Sequence, residues 1–354
     1  MTQKIRIGVI GAGEFAEVCH VPGINSHPHA EVVALCGRRY EHARLMADRL
    51  GVPAVYTDYR ELCNREDIDA VTISTPNAEH VEPAKMAFHG GKHVFCEKPL
   101  GMTVIEAREM LRAAEESGKV HQVGFTFRYL YGVRELQRRL RQGDIGEPHY
   151  LRIQYDGWTG LMQDWQDDWR GKLSLAGGGV LYERGSHLFD IARFILGPFD
   201  AITGFHENIP RQYMGLSNEV ETDDIAASWF RHMNGVRGQW FISRATPSLA
   251  ENGYLEVIGS EGALKASLSR GSLDVLKVSS PTQPAWEELP LPEAAKDGKS
   301  HCLDMMMRSF VDSCLRGKLN SDTDASFYDG LAVQEALAAV AEANDNLVWV
   351  RLSQ

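Results

Sequence analysis

Two textures in the sequence predict two domains of different class: an α/β domain on a parallel sheet, then an α+β domain on a mostly antiparallel open sheet. Over the first third, short β-branched runs alternate with segments of helical period, the pattern of parallel strands joined by crossover helices. From His149 onward, longer period-2 segments follow one another through Gly, Asn, Ser and Pro turns, the pattern of an antiparallel meander. The chain has 354 residues, which fits two domains at roughly 150 residues each. The boundary falls near Thr126, giving a first domain of residues 1–125 and a second of 126–354.

In the first domain the expected strands are Ile5–Ile10, Val32–Leu35, Ala70–Ser74, His93–Cys96 and Val120–Phe125. Ala43, Met46, Ala47 and Leu50 recur at helical spacing, with Gly51 as the stop. Thr103 and Glu106 form a capping-box pair that opens a helix running to about Ser117. In the second domain, HYLRIQYD, DDIAASWF, GQWFIS, YLEVIG, ALKASL and SLDVLKV read as strands, with one helix inserted at about Ser186–Leu196. Two late helices, about Leu303–Leu315 and Ala325–Ala343, and a strand Leu347–Leu352 close the chain. The proline-rich stretch Pro281–Glu293 reads as a surface excursion.

Composition narrows the partners. Hydrophobic residues make up 44% and charged residues 24%, enough for a sizeable core and unlike disordered, collagenous or coiled-coil chains. The net charge of -11 repels polyanions and gives no footing for nucleic acid or a membrane surface. No apolar run is long enough to span a bilayer, and the N-terminus carries no signal-peptide pattern. The six cysteines are scattered without a CxxC pair, which suits reduced thiols in a cytoplasmic setting. His27 and His29 have no partners at ligand spacing, so no metal site is expected.

Gly11-Ala12-Gly13-Glu14-Phe15-Ala16 directly follows the first strand and opens a helical segment, matching the G-x-G-x-x-A dinucleotide fingerprint of a Rossmann domain. The first glycine allows the tight turn and the second admits a pyrophosphate. Ala16 lets helix pack on strand, while the helix N-terminus faces the anion. Where the NAD fingerprint places a carboxylate after the second strand, this chain reads Cys36-Gly37-Arg38-Arg39. Losing that acid removes a repulsion against a 2′-phosphate, and Arg38 or Arg39 can pair with the phosphate bidentately. NADP(H) is therefore expected ahead of NAD(H).

Two polar, prolyl segments end parallel strands, where open α/β sheets bind ligands: Thr75-Pro76-Asn77-Ala78-Glu79-His80 and Glu97-Lys98-Pro99. Together with GAGEFA, VGFTFRY and GGGVLYERGSHLFD at Gly177–Asp190, they resemble the Gfo/Idh/MocA oxidoreductases, the glucose-fructose oxidoreductase and inositol dehydrogenase superfamily, over nearly the whole chain. The resemblance implies that Lys98 lies beside the nicotinamide and the reacting hydroxyl, that Glu97 contacts the nicotinamide ribose, and that Thr75, Pro76, Asn77 and His80 line the cofactor. An ammonium beside an oxidised nicotinamide is pushed toward its neutral form and can relay the substrate proton. The family's Asp-x-Gly-x-His element appears here as Glu183-Arg184-Gly185-Ser186-His187, with Glu183 one methylene longer than the usual aspartate. His187 is implied as proton acceptor and Glu183 as a group that orients the ring.

Around these, Arg128, Tyr155, Trp158, Asp164, Trp165, Arg170 and Arg184 come from segments expected to edge the substrate cleft. Aromatic faces with charged hydrogen-bonding groups suit a polyhydroxylated ring, and the arginines an acidic sugar. The expected activity is NAD(P)-dependent hydride transfer to or from a secondary alcohol or hemiacetal carbon of a sugar, sugar acid or cyclitol. The rivals are oxidoreductive glycoside cleavage with a recycled cofactor, and a non-catalytic dinucleotide-binding regulator. An open sheet with an uncovered face tends to find another copy of itself, so a homodimer or homotetramer is expected.

Overall fold

The first strands form a parallel sheet because they are short, β-branched and buried on both faces, and each is followed by a helical crossover. In the computed structural model, which describes residues 4–157, 168–210, 220–246, 252–268, 276–289, 299–346 and 348–352, the chain divides into two compact units. One unit comprises Met1–Phe125 with Leu303–Gln334, and the other Thr126–Cys302 with Glu335–Gln354.

The first unit holds β1 (Ile5–Ile10), β2 (Ala30–Cys36), β3 (Ala54–Tyr56), β4 (Ala70–Ile73), β5 (His93–Cys96) and β6 (His121–Val123). They lie parallel in the order β3-β2-β1-β4-β5-β6, the doubly wound arrangement whose strand order reverses between β1 and β4. The connections are α1 (Val21–Asn25), α2 (Tyr40–Leu50), α3 (Tyr59–Cys63), α4 (Val81–His89) and α5 (Val104–Ser117). Gly51 ends α2 in the left-handed conformation, and both hydrogen bonds of the Thr103–Glu106 capping box are made at the start of α5.

The second unit opens with α6 (Tyr131–Gln142) and carries β7 (Pro148–Asp156), α7 (Leu173–Ala176), α8 (Ser186–Leu196) and β8 (Phe199–Glu207). β9 (Ile225–His232), β10 (Arg237–Ser243), β11 (Asn252–Gly259), β12 (Ala263–Ser267), β13 (Leu276–Ser280), β14 (Gln283–Glu288) and β15 (Val350–Arg351) complete its sheet. The order is β14-β13-β12-β11-β7-β10-β9-β8-β15, antiparallel throughout except for the β7–β10 pair. The core behind it is aromatic: Phe189 of α8 packs edge-on to Trp240 and Phe199, and Phe199 in turn on Phe230.

The closing helices are α9 (Lys299–Arg316) and α10 (Phe327–Asn346). Most of α9 and the start of α10 cluster with the first unit, so that unit is assembled from both ends of the chain. Val123 N–H donates to the Ala325 carbonyl at 2.8 Å, extending the β6 edge by one bridge. The stretch expected as a surface excursion contains β14. No helix among the described residues is long and apolar enough to cross a membrane.

Candidate active site

The glycine turn follows β1 as expected. Gly11 has φ of +111°, a conformation that excludes a side chain on steric grounds, and a Cβ there would also meet the Ser74 carbonyl at 2.6 Å. Ser74 Oγ donates to the Gly11 carbonyl at 3.2 Å, so the turn after β1 is fastened to the loop after β4. Gly13 differs: a Cβ there would meet nothing within 4 Å, because the residue faces open space. That is the cradle a pyrophosphate requires, a backbone that can be approached and that a side chain would obstruct. Glu14 is exposed beside it, Phe15 is half-buried, and Ala16 is buried where the helix meets the sheet. The residues fit a dinucleotide.

Arg38 and Arg39 are both exposed at the end of β2. Asp58, whose charge helps burial push the Cys36 thiol up to about 12, accepts the Arg60 N–H as the cap of α3.

Past β4, Thr75 Oγ1 donates to the Glu79 carbonyl at 3.1 Å and closes the loop that carries Pro76 and the buried Asn77. His80 is fully buried, with Nδ1 3.0 Å from the Pro99 carbonyl and Nε2 3.1 Å from that of Thr75. It fastens the two prolyl loops together rather than presenting its ring to solvent, and burial pushes its pKa below the ordinary histidine value. Past β5, the Lys98–Pro99 peptide is cis, Lys98 is half-buried, and Glu97 is buried with Oε1 3.1 Å from Nε2 of His20. His20 is not legible as a site residue from any motif, although a histidine among the apolar Cys19, Val21 and Ile24 is a signal.

In the second unit, a π segment at Leu181–Gly185 leads directly into α8, so Glu183, Arg184 and His187 all stand where that helix begins. Asp223 sets this segment. Its Oδ1 accepts the Gly179 N–H at 2.6 Å, its Oδ2 the Leu181 N–H at 2.8 Å, and its carbonyl the Val180 N–H at 3.0 Å. Gly179 is obligatory here, since a Cβ would overlap the Asp223 carbonyl. Asp223 also raises the pKa of His206 through their side-chain contact. Sequence reasoning missed Asp223; the signal was two adjacent acids opening a buried strand.

His187 is buried, and its ring stacks on Phe127 at 4.6 Å between centroids, with Phe127 stacked in turn on Tyr155 at 5.8 Å. Arg184 lies 5.0 Å over the Tyr155 ring, and its Nη1 donates to the Tyr155 hydroxyl at 3.3 Å. Glu183 is half-buried, 3.7 Å from Nε of Arg184. Arg128, expected at the substrate, is buried and committed to Asp190: Nε donates to Oδ2 at 2.9 Å and Nη2 to Oδ1 at 2.5 Å. Asp190 thereby anchors α8 one turn after His187. Arg170 pairs with Asp168 at 3.1 Å and lies over the Trp169 ring. Trp158, Asp164 and Trp165 lie outside the described residues.

A strand-turn-helix cradle of this geometry, on a sheet of this order, defines a dinucleotide-binding domain of the Rossmann class. Two family profiles match the chain: "Oxidoreductase family, NAD-binding Rossmann fold" over residues 5–125, and "GFO/IDH/MocA C-terminal domain" over residues 133–265. The chain belongs to the Gfo/Idh/MocA family of oxidoreductases, with the NAD-binding Rossmann fold of that family. A 1,5-anhydro-D-fructose reductase from Ensifer adhaerens is 33% identical over 261 residues, 73% of this chain and 74% of the relative. A myo-inositol 2-dehydrogenase from Thermotoga maritima is 28% identical over 276 residues, 77% of this chain and 78% of the relative. The solved levoglucosan dehydrogenase in complex with NADH and levoglucosan superposes with a TM-score of 0.90 at 25% identity, covering 99% of this chain and all of that one.

Proposed function

We propose that the protein catalyses reversible oxidation of a secondary alcohol or hemiacetal carbon on a sugar, sugar acid or cyclitol. The observation that carries this reading is the glycine turn, rigid at Gly11 and open at Gly13, in a chain whose relatives act on an anhydro sugar and an inositol. When bound, the nicotinamide dinucleotide supplies the hydride acceptor or donor. Gly11, Gly13, Glu14, Phe15 and Ala16 hold its pyrophosphate, Thr75, Pro76, Asn77 and Glu97 its nicotinamide half. Lys98 and His187 take the proton released from the substrate hydroxyl and return it in the reverse direction, and Glu183 orients the ring. The aromatic stack fixes the plane of His187, so that proton transfer meets a preset geometry.

Arg38 and Arg39, exposed where a ribose-binding carboxylate would stand, support a preference for NADP(H), while the solved levoglucosan dehydrogenase holds NADH. Titration with NADH and NADPH by nicotinamide fluorescence, then an absorbance screen against sugars, sugar acids and cyclitols, tests the whole reading. One cofactor should bind and one polyol class should turn over; binding without turnover on any candidate would remove the dehydrogenase reading. Arg38→Ala should weaken NADPH by about tenfold and NADH little, and equal losses would end the arginine argument. The same reading includes a homodimer or homotetramer, supported by Trp229 lying 43% exposed on β9, and a cytoplasmic setting, supported by six buried free cysteines.

A further inference from the structure

The cofactor-facing loops of the first unit meet at a side chain that none of the motifs contains. His20 ends the π segment that follows the glycine turn and is 0% exposed. Burying an imidazole is costly unless both nitrogens find partners, and both do. Nε2 lies 3.1 Å from Oε1 of Glu97, and Nδ1 lies 3.0 Å from Oγ1 of Thr72 in the middle of β4. An ionised carboxylate only accepts, so Nε2 carries the hydrogen toward Glu97; the Thr72 hydroxyl can donate or accept and completes the ring's bonding. The ring stands edge-on to Phe15 at 5.7 Å and to Phe95 at 5.3 Å, which leaves it one orientation.

Glu97 is confined from its other sides as well. Oε2 accepts the Lys98 N–H at 3.3 Å, and the carboxyl sits so close to Gly124 that a Cβ there would come within 2.7 Å. We propose that His20 is a positioning residue for the nicotinamide half of the site: it locks the Glu97 carboxylate and thereby holds the Glu97–Lys98 loop in register with the glycine turn before the dinucleotide arrives. This rests on the reading of Glu97 as a ribose contact. One imidazole thus joins the helix after the glycine turn, β4 and the loop after β5, so the pyrophosphate end and the nicotinamide end are set together.

The test is calorimetric titration of the full chain with the dinucleotide the wild type prefers, NADH or NADPH, and with ADP, which carries only the adenosine and diphosphate. Glu97→Ala and His20→Leu are each expected to weaken the dinucleotide by about tenfold and ADP by less than about twofold. His20→Gln, whose amide can still donate toward Glu97, is expected to restore most of the affinity. The double variant His20→Leu with Glu97→Ala is expected to bind no worse than Glu97→Ala alone, because His20 acts through that carboxylate. Thr72→Val changes shape least and covers the case in which His20→Leu does not fold; about a threefold loss confined to the dinucleotide is expected.

Equal losses for dinucleotide and ADP, additive losses in the double variant, or unchanged dinucleotide binding in Thr72→Val would each overturn the assignment. If Glu97→Ala binds normally, the ribose reading and this inference fall together. If Glu97→Ala is impaired while His20→Leu is not, the inference falls alone.

Discussion

Each unit carries a helix preceded by a π segment, Ala16–His20 before α1 and Leu181–Gly185 before α8, and the backbones of the two segments are shaped in different ways. Such segments recur at functional sites, because one wide turn redirects the side chains that follow it. The backbone of the first is shaped by neighbouring residues: Gly11 turns the chain, Gly13 leaves room, and Ala16 lets the helix settle on the sheet, with Ser74, Thr72 and Glu97 fastening it from elsewhere in the unit. The second is set from 42 and 44 residues away, by the Asp223 carboxylate that accepts the Leu181 and Gly179 N–H groups. A site assembled from contiguous residues can be read as a motif, whereas a site held by a distant acid cannot.

The sharpest way to break this contrast is Asp223→Ala. It strips two buried N–H groups of a charged acceptor and should destabilise the second unit by about 3 kcal/mol, with dinucleotide affinity unchanged. Thermal melting and NADH titration on one preparation check both halves; a stable variant would mean that the distant anchor is dispensable. Acid sensitivity follows from His232, which burial beside Phe199 pushes down to about 4. Its unfolded value is near 6.5, so its stabilisation is full above that pH and is lost as pH falls toward 4, at most about 3 kcal/mol. His232→Phe should therefore lose stability less steeply than wild type between pH 6.5 and 4, and matching slopes would refute the assignment.

Smaller effects separate the two glycines. Gly11→Ala should destabilise the fold by about 1–2 kcal/mol, since it adds a Cβ at positive φ against the Ser74 carbonyl. Gly13→Val should leave the melting temperature nearly unchanged and weaken the dinucleotide by at least about tenfold, because its new atoms enter only the open cradle. If Gly13→Val unfolded the protein, or bound NADH normally, the division of labour within the turn would be wrong.

The same contrast decides what is legible in the sequence. β1 and β5 are apolar runs with clear stops, and the helix at Ser186–Leu196 carries its period in sequence; the expected bounds of all three match the observed ones. β3 is three half-buried residues, too short to show a period. β14 hides behind Pro284, which is tolerated because, among the described residues, this strand lies at the edge of the sheet and pairs with β13 alone. Nor can helical periodicity tell which sheet the apolar faces of α9 and α10 will cover, and Leu303–Gln334 joins the first unit. At the site, GAGEFA and EKP are legible as motifs. The pairing of Arg128 with Asp190, 62 residues apart, and the grip of His20 on Glu97, 77 residues apart, are not, because charge and burial show in a sequence while partners do not.

The role proposed for Lys98 is in the chemistry and not in the binding of the cofactor. Lys98→Met tests it in a single-turnover experiment that follows nicotinamide absorbance with the polyol found in the screen, alongside a dinucleotide titration. Hydride transfer should fall by about 10²–10⁴-fold while the dinucleotide Kd stays within about twofold. Normal turnover, or a rate loss fully explained by weakened dinucleotide binding, would contradict that role.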